Sequence, residues 1–154
     1  MIIAGDGPDR RELENLVSKL GLGLHVDFVG HVTQPETVLA KLDIFAITSN
    51  TEQMPLSVLE AMAHGLPVLG VDIGDVKLMV SPANRPFIVP PMQGFLVTAL
   101  TELMRSPEQR LRIGAENERW ALFQHDQGIM FRRYEALWQE VLATVPMHSC
   151  RNFR

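Results

Sequence analysis

The chain has 154 residues, 46% of them hydrophobic, enough for one domain with a real core and ordinary for a soluble globular protein. Its 14 Lys and Arg against 18 Asp and Glu leave a formal net charge of −4, which argues against a large nucleic-acid surface. A single cysteine, Cys150, offers no disulfide framework and fits a reducing compartment, and no apolar run approaches the roughly 18 residues of a membrane span.

Met1 to Ala4 reads as a strand, too short for a signal-peptide core, and Gly5-Asp6-Gly7-Pro8 turns the chain. The spacing of Leu13, Leu16, Val17 and Leu20 predicts a helix from Asp9 to Leu20, ended by Gly21-Leu22-Gly23. A strand is expected from His25 to Val29, a short helix from Pro35 to Lys41, and a strand from Leu42 to Thr48. Ser49, Asn50 and Thr51 form a polar turn. A helix from Pro55 to His64 follows, with Pro55 at the first helical position, Leu56, Leu59, Ala63, Val58 and Met62 on its apolar face, and Gly65 just past its end. Leu66 to Val71 starts the next strand, and Phe87 to Val89 is a brief one. Alternating strands and helices predict an α/β fold: a Rossmann-like parallel sheet with helices on both faces and ligands at the carboxyl ends of its strands.

The last third is helical. Met92 to Arg105 carries Leu96, Leu100, Leu103 and Met104; Pro107 to Arg119 carries Leu111, Ile113 and Ala115. Gln127 to Ala143 shows Ile129, Phe131, Tyr134, Leu137, Trp138, Val141 and Leu142, a pattern that predicts core packing or docking against another domain. Arg132, Arg133, Arg151 and Arg154 make a local basic bias best read as solvated faces. Residues 146–154 lack periodicity and are expected to be a disordered tail.

The chemistry concentrates between Thr51 and Pro67. A strand, a loop and a helix in that order leave backbone N–H groups free at the helix start, a setting that favours a phosphate. Glu60 falls about 40° around the helix axis from Leu56, at the flank of the expected apolar face, where its carboxylate reaches the crevice above the sheet. Glu52 lies on the loop before the helix. Carboxylates do not bind phosphate, but they accept hydrogen bonds from hydroxyls at either end of a ligand whose phosphates lie between them. A nucleotide sugar has that layout; two solvated glutamates are the plainer reading of the same residues.

Elsewhere the signals are weaker. Gly5-Asp6-Gly7 looks like a phosphate-binding turn, but Arg10 stands where a dinucleotide fingerprint needs its third glycine, which opposes a dehydrogenase, and no Gly-Lys-Ser/Thr follows. His25, His31, His64, His125 and His148 never fall at metal-ligand spacing. His64, in the last helical turn, suits the negative end of the helix dipole. Asp43 and Asp72, at strand ends, read as structural or solvated. Ser49 and Ser57 have no histidine placed to activate them, and G-x-S-x-G is absent.

The run Lys41-Leu42-Asp43-Ile44-Phe45-Ala46-Ile47-Thr48-Ser49, then Glu52-Gln53-Met54-Pro55-Leu56-Ser57-Val58-Leu59-Glu60-Ala61-Met62-Ala63-His64-Gly65-Leu66-Pro67-Val68, resembles the retaining glycosyltransferases of GT-B fold, family GT4. Ile2-Ile3-Ala4-Gly5-Asp6-Gly7-Pro8 and Val26-Asp27-Phe28-Val29-Gly30 agree in order, and the likeness covers roughly residues 1–143. The resemblance implies a two-lobed enzyme of which residues 1–145 form the C-terminal, nucleotide-sugar-binding lobe. It implies that Glu60 binds the ribose hydroxyls and that Glu52, the catalytic residue, contacts the transferred hexosyl group. Amides from Met54, Leu56 and Ser57, with Gln53 and Pro55 in the same loop, would hold the diphosphate. Gly5, Gly7 and Pro8 would line the donor cleft, with Phe28, Val29 and Gly30 near the base. No metal or other cofactor is implied, and transfer would retain anomeric configuration.

Three departures qualify the likeness. Gln53 replaces the small residue that usually follows the first glutamate. Asp72-Ile73-Gly74-Asp75-Val76-Lys77-Leu78 carries Asp75 and Leu78 where a second glycine and a glutamate are common. The N-terminal acceptor lobe is missing, and so are the first strand and helix of the donor lobe, the central strand of the usual order. The isolated chain is therefore expected to be inactive without an acceptor domain, and the expectation for the sheet is either a different strand order or completion by a partner chain or homo-oligomer. The acceptor, a sugar, a lipid-linked sugar or a small molecule, is open; polysaccharide biosynthesis is the expected setting. The expected location is cytoplasmic, peripheral at the inner membrane in a full-length form. A non-catalytic truncated or degenerate domain, acting as a binding or assembly module, is the alternative.

Overall fold

The computed structural model describes residues 1–144 in two compact units, one from Met1 to Leu42 and a second beginning at Asp43. The tail expected at 146–154, with His148, Cys150, Arg151 and Arg154, lies outside the described residues.

In the first unit, β1 (Ile2–Ala4) pairs in parallel with β2 (Asp27–Gly30), Ile2 opposite Asp27 and Ile3 opposite Phe28, with a register shift before Ala4 and Gly30. Between them runs α1 (Arg10–Lys19), and α2 (Glu36–Leu39) follows β2 as a single turn. β2 begins later than predicted because the His25 amide donates to the Leu22 carbonyl at 2.8 Å, closing a turn first. The expected apolar face of α1 is real but not buried: Leu13, Leu16 and Leu20 are all exposed, and the buried apolar residues of this unit are Val26 and Leu39. A two-stranded sheet with one full helix offers too little surface to enclose a core.

The second unit holds a three-stranded parallel sheet in the order β3 (Phe45–Ile47), β4 (Val68–Val71), β5 (Ile88–Val89). Phe45, Ala46 and Ile47 lie opposite Val68, Leu69 and Gly70, and Val71 lies opposite Val89. β3 is shorter than predicted because the Leu42 amide still bonds the Leu39 carbonyl, at 3.0 Å, as part of the turn after α2. All four residues of β4 are buried, as a central strand of a parallel sheet requires. Phe87 is not in a strand: it closes a 3₁₀ turn (Arg85–Phe87) just before β5.

Crossovers are made by α3 (Leu56–Ala63) and the short α4 (Val76–Met79), and α5 (Gln93–Arg105), α6 (Pro107–Gln124) and α7 (Gln127–Thr144) complete the unit. The core joins Leu69, Phe87 and Val89 to Ala99 and Leu103 of α5 and Ile113 of α6. Met104, Leu111 and Ala115, grouped with the apolar positions in the sequence, face solvent. α3 packs closely on α6: a Cβ built on Gly114 would overlap the carbonyl oxygen of Gly65. Burial of Ala121 carries α6 beyond Arg119, the end predicted for it. α7 buries no residue; Phe131, Tyr134, Leu137, Trp138 and Leu142 are exposed, so its apolar positions are not core among the described residues.

One polar cluster sits inside this apolar unit. Asn117, on α6, donates through Nδ2 to the Leu66 carbonyl at 2.8 Å and to Asn84 Oδ1 at 2.7 Å. Its Oδ1 accepts from the Ser81 amide at 3.2 Å and the Ser81 hydroxyl at 2.7 Å. Asn84 in turn bonds both the amide and the carbonyl of Val68, at 2.8 and 2.7 Å. All three side chains are buried and satisfied, as burial of polar groups demands, and together they fix the start of β4 against α6.

Candidate functional site

The carboxyl ends of β3 and β4 carry two loops, the stretch 48–55 that leads into α3 and the turn 72–75 that leads into α4. Pro55 is the residue before the helix rather than its first residue: its φ of −68° and ψ of 122° are extended. It has no N–H and its side chain caps nothing. The first intrahelical bond runs from the Val58 amide to the Pro55 carbonyl at 3.1 Å. The amides of Met54, Leu56 and Ser57 donate to no protein group among the described residues. Three free N–H groups therefore cluster at the positive end of an eight-residue helix, at the sheet's carboxyl edge.

Of the predicted apolar face of α3, Val58 and Met62 are buried, joined by Ala61, and Leu59 is half-buried. Leu56 is 71% exposed and Ala63 is exposed too. Glu60, one turn after Leu56, thus lies on the exposed side and not at the flank of the core. Its carboxylate, and that of the half-buried Glu52, make no ion pair or hydrogen bond among the described residues. Gln53 and Met54 are exposed, while Pro55 and Ser57 are half-buried. His64 Nδ1 lies 2.9 Å from the Glu60 carbonyl oxygen, which also accepts from the His64 amide at 3.1 Å, at the helix end.

The turn 72–75 was not among the residues the sequence marked as a site, yet it holds the loop that bears Glu52. The Asp75 amide donates to the Gln53 carbonyl at 2.8 Å. Gly74 has φ +51°, and a Cβ there would overlap the Glu52 carbonyl oxygen and lie 2.9 Å from the Gln53 oxygen. The sequence signal was the glycine itself, in a loop after a buried strand. Asp72, read as structural or solvated, pairs with Lys77 at 2.7 Å.

In the first unit, Gly5, Gly7 and Pro8 form an exposed turn after β1, and a Cβ on either glycine would meet no atom within 4 Å. The Gly5 amide donates to the Gly30 carbonyl at 2.7 Å, which brings this turn beside Phe28, Val29 and Gly30. Arg10, the residue that breaks the dinucleotide fingerprint, ties the two segments. It bonds Glu14 at 2.8 Å, reaches the Phe28 carbonyl at 3.4 Å and sits 6.0 Å from the Phe28 ring centroid. The two groups of candidate residues belong to different units.

A cleft of about 500 Å³ in the second unit lies beside α6, lined by Ser81, Pro82, Glu116, Arg119, Trp120 and Phe123. Among the described residues no three His, Cys, Asp or Glu side chains group as metal ligands, and no helix is long and apolar enough to cross a membrane.

A parallel sheet with flanking helices, a helical C-terminal third and a bare helix start at the sheet's ligand edge define a Rossmann-like α/β protein of the GT-B kind. Residues 1–120 match the family described as glycosyl transferases group 1, and the chain belongs to that family. It is 29% identical over 119 residues to an alpha-D-kanosaminyltransferase from Streptomyces kanamyceticus, an alignment covering 75% of this chain and 31% of that one. It is 38% identical over 72 residues to the O-antigen biosynthesis glycosyltransferase WclY of Escherichia coli, covering 47% and 20%. Among solved structures it is similar in fold to a sucrose-phosphate synthase from Thermosynechococcus elongatus, with TM-score 0.81 and 22% identity over 94% of this chain and 39% of that one. It is likewise similar to Anabaena Alr3699/HepE in complex with UDP, with TM-score 0.81 and 20% identity over 90% and 40%. The chain thus spans well under half of these relatives, and α7 lies beyond the family match.

Proposed function

We propose that this chain is the nucleotide-sugar-binding portion of a retaining glycosyltransferase that takes a hexosyl group from a nucleoside-diphosphate donor. The observation that carries this reading is the group of free Met54, Leu56 and Ser57 amides beside two carboxylates that no protein group engages. The amides take the diphosphate, Glu60 accepts from the ribose hydroxyls, and Glu52 accepts from hydroxyls of the transferred sugar. Gly5, Gly7 and Pro8 line the donor cleft, Phe28, Val29 and Gly30 lie toward the base, and Gln53 bears on sugar choice. The donor is a UDP- or GDP-linked hexose; HepE, similar in fold, has been solved with UDP-glucose.

The transfer replaces the bond between the anomeric carbon and the β-phosphate oxygen with one to an acceptor hydroxyl on the same face. The departing diphosphate takes the acceptor proton. Glu52 orients the sugar and stabilises developing positive charge rather than attacking, and no metal is required. The acceptor, a sugar, a lipid-linked sugar or a small molecule, binds an N-terminal lobe outside these residues. Among the described residues β1 pairs only with β2 and β3 only with β4, so each offers an edge to a strand from another polypeptide.

Isothermal calorimetry with UDP and with GDP tests the reading. Wild type should bind one of them saturably, and Glu60→Ala should weaken that binding by about tenfold or more, the loss of charge-assisted hydrogen bonds. Saturable binding by neither nucleotide, or equal binding by Glu60→Ala, overturns the donor site and favours a non-catalytic assembly module.

A further inference from the structure

We infer that the turn 72–75 is a positioning element for Glu52, with Gly74 and the Asp75 amide holding the Glu52 backbone where its carboxylate meets the transferred sugar. The inference rests on the donor reading above and deepens it.

Glu52 has no side-chain partner to fix its carboxylate, so its backbone must do so. That backbone is gripped at two consecutive peptide units. Gly74 lies so close that an added Cβ would sit 2.8 Å from the Glu52 carbonyl carbon and 2.9 Å from the Gln53 oxygen. The next residue donates its amide to the same Gln53 oxygen at 2.8 Å. No side chain fits at position 74, and its φ of +51° is one that L residues rarely adopt.

The gripping turn is itself rigid. Before it, the Asp72 amide donates to the Val89 carbonyl at 2.8 Å, which ties its start to β5. Within it, the Asp75 carbonyl accepts from the Leu78 and Met79 amides, both at 2.9 Å. After it, Val76 and Met79 are buried, and His125 Nε2 lies 3.2 Å from the Met79 carbonyl oxygen. The turn is thus a fixed template against which the polar loop 48–55 is laid.

Of the diphosphate-binding amides, those of Leu56 and Ser57 belong to α3, which packs on α6, whereas the Met54 amide shares one planar peptide unit with the gripped Gln53 carbonyl. The sugar contact and one of the three phosphate donors therefore run through the turn. Loss of the grip should erode preference for the sugar-bearing nucleotide more than it lowers affinity for the bare diphosphate.

The experiment measures dissociation constants of wild type and variants for UDP and UDP-glucose, with GDP and GDP-mannose as a second pair. Wild type should bind the sugar nucleotide more tightly than its diphosphate. Gly74→Ala should reduce that ratio by about fivefold or more, with diphosphate affinity falling by less than the ratio does, and Glu52→Gln should reduce the ratio similarly. The double variant should lose no more than either alone, because both changes remove one contact. Gly74→Asn tolerates the backbone angle yet keeps the clash, and should behave as Gly74→Ala does. Gly65→Ala is the control: its φ of +67° makes it equally strained, but it sits at the far end of α3 and should leave the ratio unchanged.

An unaltered ratio in Gly74→Ala and Gly74→Asn, or a wild type that binds diphosphate and sugar nucleotide equally, overturns the inference and leaves the phosphate site standing. Wild type that binds none of the four nucleotides overturns the donor reading instead. Hydrogen exchange of the wild-type Asp75 amide then still decides the grip, protected exchange supporting it and free exchange refuting it. The same readout serves if neither Gly74 variant folds.

Discussion

Removing the Asn117 side chain is the most severe single test of how the second unit is built. Asn117→Ala deletes four hydrogen bonds, two to the Leu66 carbonyl and Asn84 and two from Ser81. At about 1 kcal/mol net apiece they are worth about 4 kcal/mol. Counted from the other side, the Leu66 carbonyl and the Ser81 amide are left buried and unpaired, each costing about 1–3 kcal/mol. Both routes give a loss of about 3–5 kcal/mol, a large share of the roughly 5–15 kcal/mol that holds a domain together. Urea unfolding followed by tryptophan fluorescence reads this directly, because both tryptophans, Trp120 and Trp138, lie in the second unit. Asn84→Ala should cost a similar amount, and the double variant should fall short of additivity by about 1 kcal/mol, the bond the two share. A loss below about 1 kcal/mol for Asn117→Ala, or strict additivity, would refute the claim that this cluster pins β4 to α6.

Two further changes probe α3. Met62→Ala, at a fully buried position, should cost about 2–5 kcal/mol, whereas Leu56→Ala, 71% exposed, should stay within about 0.5 kcal/mol in the same urea assay; the reverse order would refute the buried face of α3 described above. Gly114→Ala drives a methyl group into the Gly65 carbonyl and should lower stability by about 1–3 kcal/mol or more, while Gly94→Ala, whose Cβ would meet nothing within 4 Å, should not.

The order and type of most elements were legible in the sequence, because turn residues such as Gly21, Gly65 and Pro67 punctuate short apolar runs. Boundaries and faces were less so. Leu42 is apolar and precedes a strand, yet its amide closes the turn after α2, a choice set by a hydrogen bond and not by hydropathy. Leu56, Leu59, Ala63, Val58 and Met62 all read as one broad apolar face. Of these Val58 and Met62 are buried and Ala61 joins them, while Leu56 and Ala63 face solvent, a narrowing set by tertiary packing that local periodicity does not reveal. The residues proposed as a site fall in both units: the turn after β1 and the end of β2 in the first, the loop 48–55 and the start of α3 in the second. Gly74 reads in the sequence only as part of a segment that departs from the family pattern, because its role is defined by a neighbour's backbone; Asn84, Ser81 and Asn117 go unmarked because polar residues ordinarily read as surface.

The edges of the small sheet supply a last prediction. In a parallel ladder successive residues turn their amide and carbonyl to opposite neighbours. The Phe45 amide bonds the Pro67 carbonyl at 3.0 Å, so Phe45 and Ile47 serve β4 and Ala46 points its N–H away from it. Proline lacks that N–H and is tolerated in a sheet only where the donor faces an open edge. Ala46→Pro should therefore cost no more than about 1–2 kcal/mol, the strain of its fixed φ. Ile47→Pro breaks the ladder and orphans a buried carbonyl of β4, and should cost about 3–5 kcal/mol. Thermal unfolding of the two variants gives the comparison. Equal losses would mean that the outer edge of β3 is already paired in solution, and sedimentation of wild type and Ala46→Pro would then separate pairing with a second copy, which the proline should dissociate, from pairing within one chain.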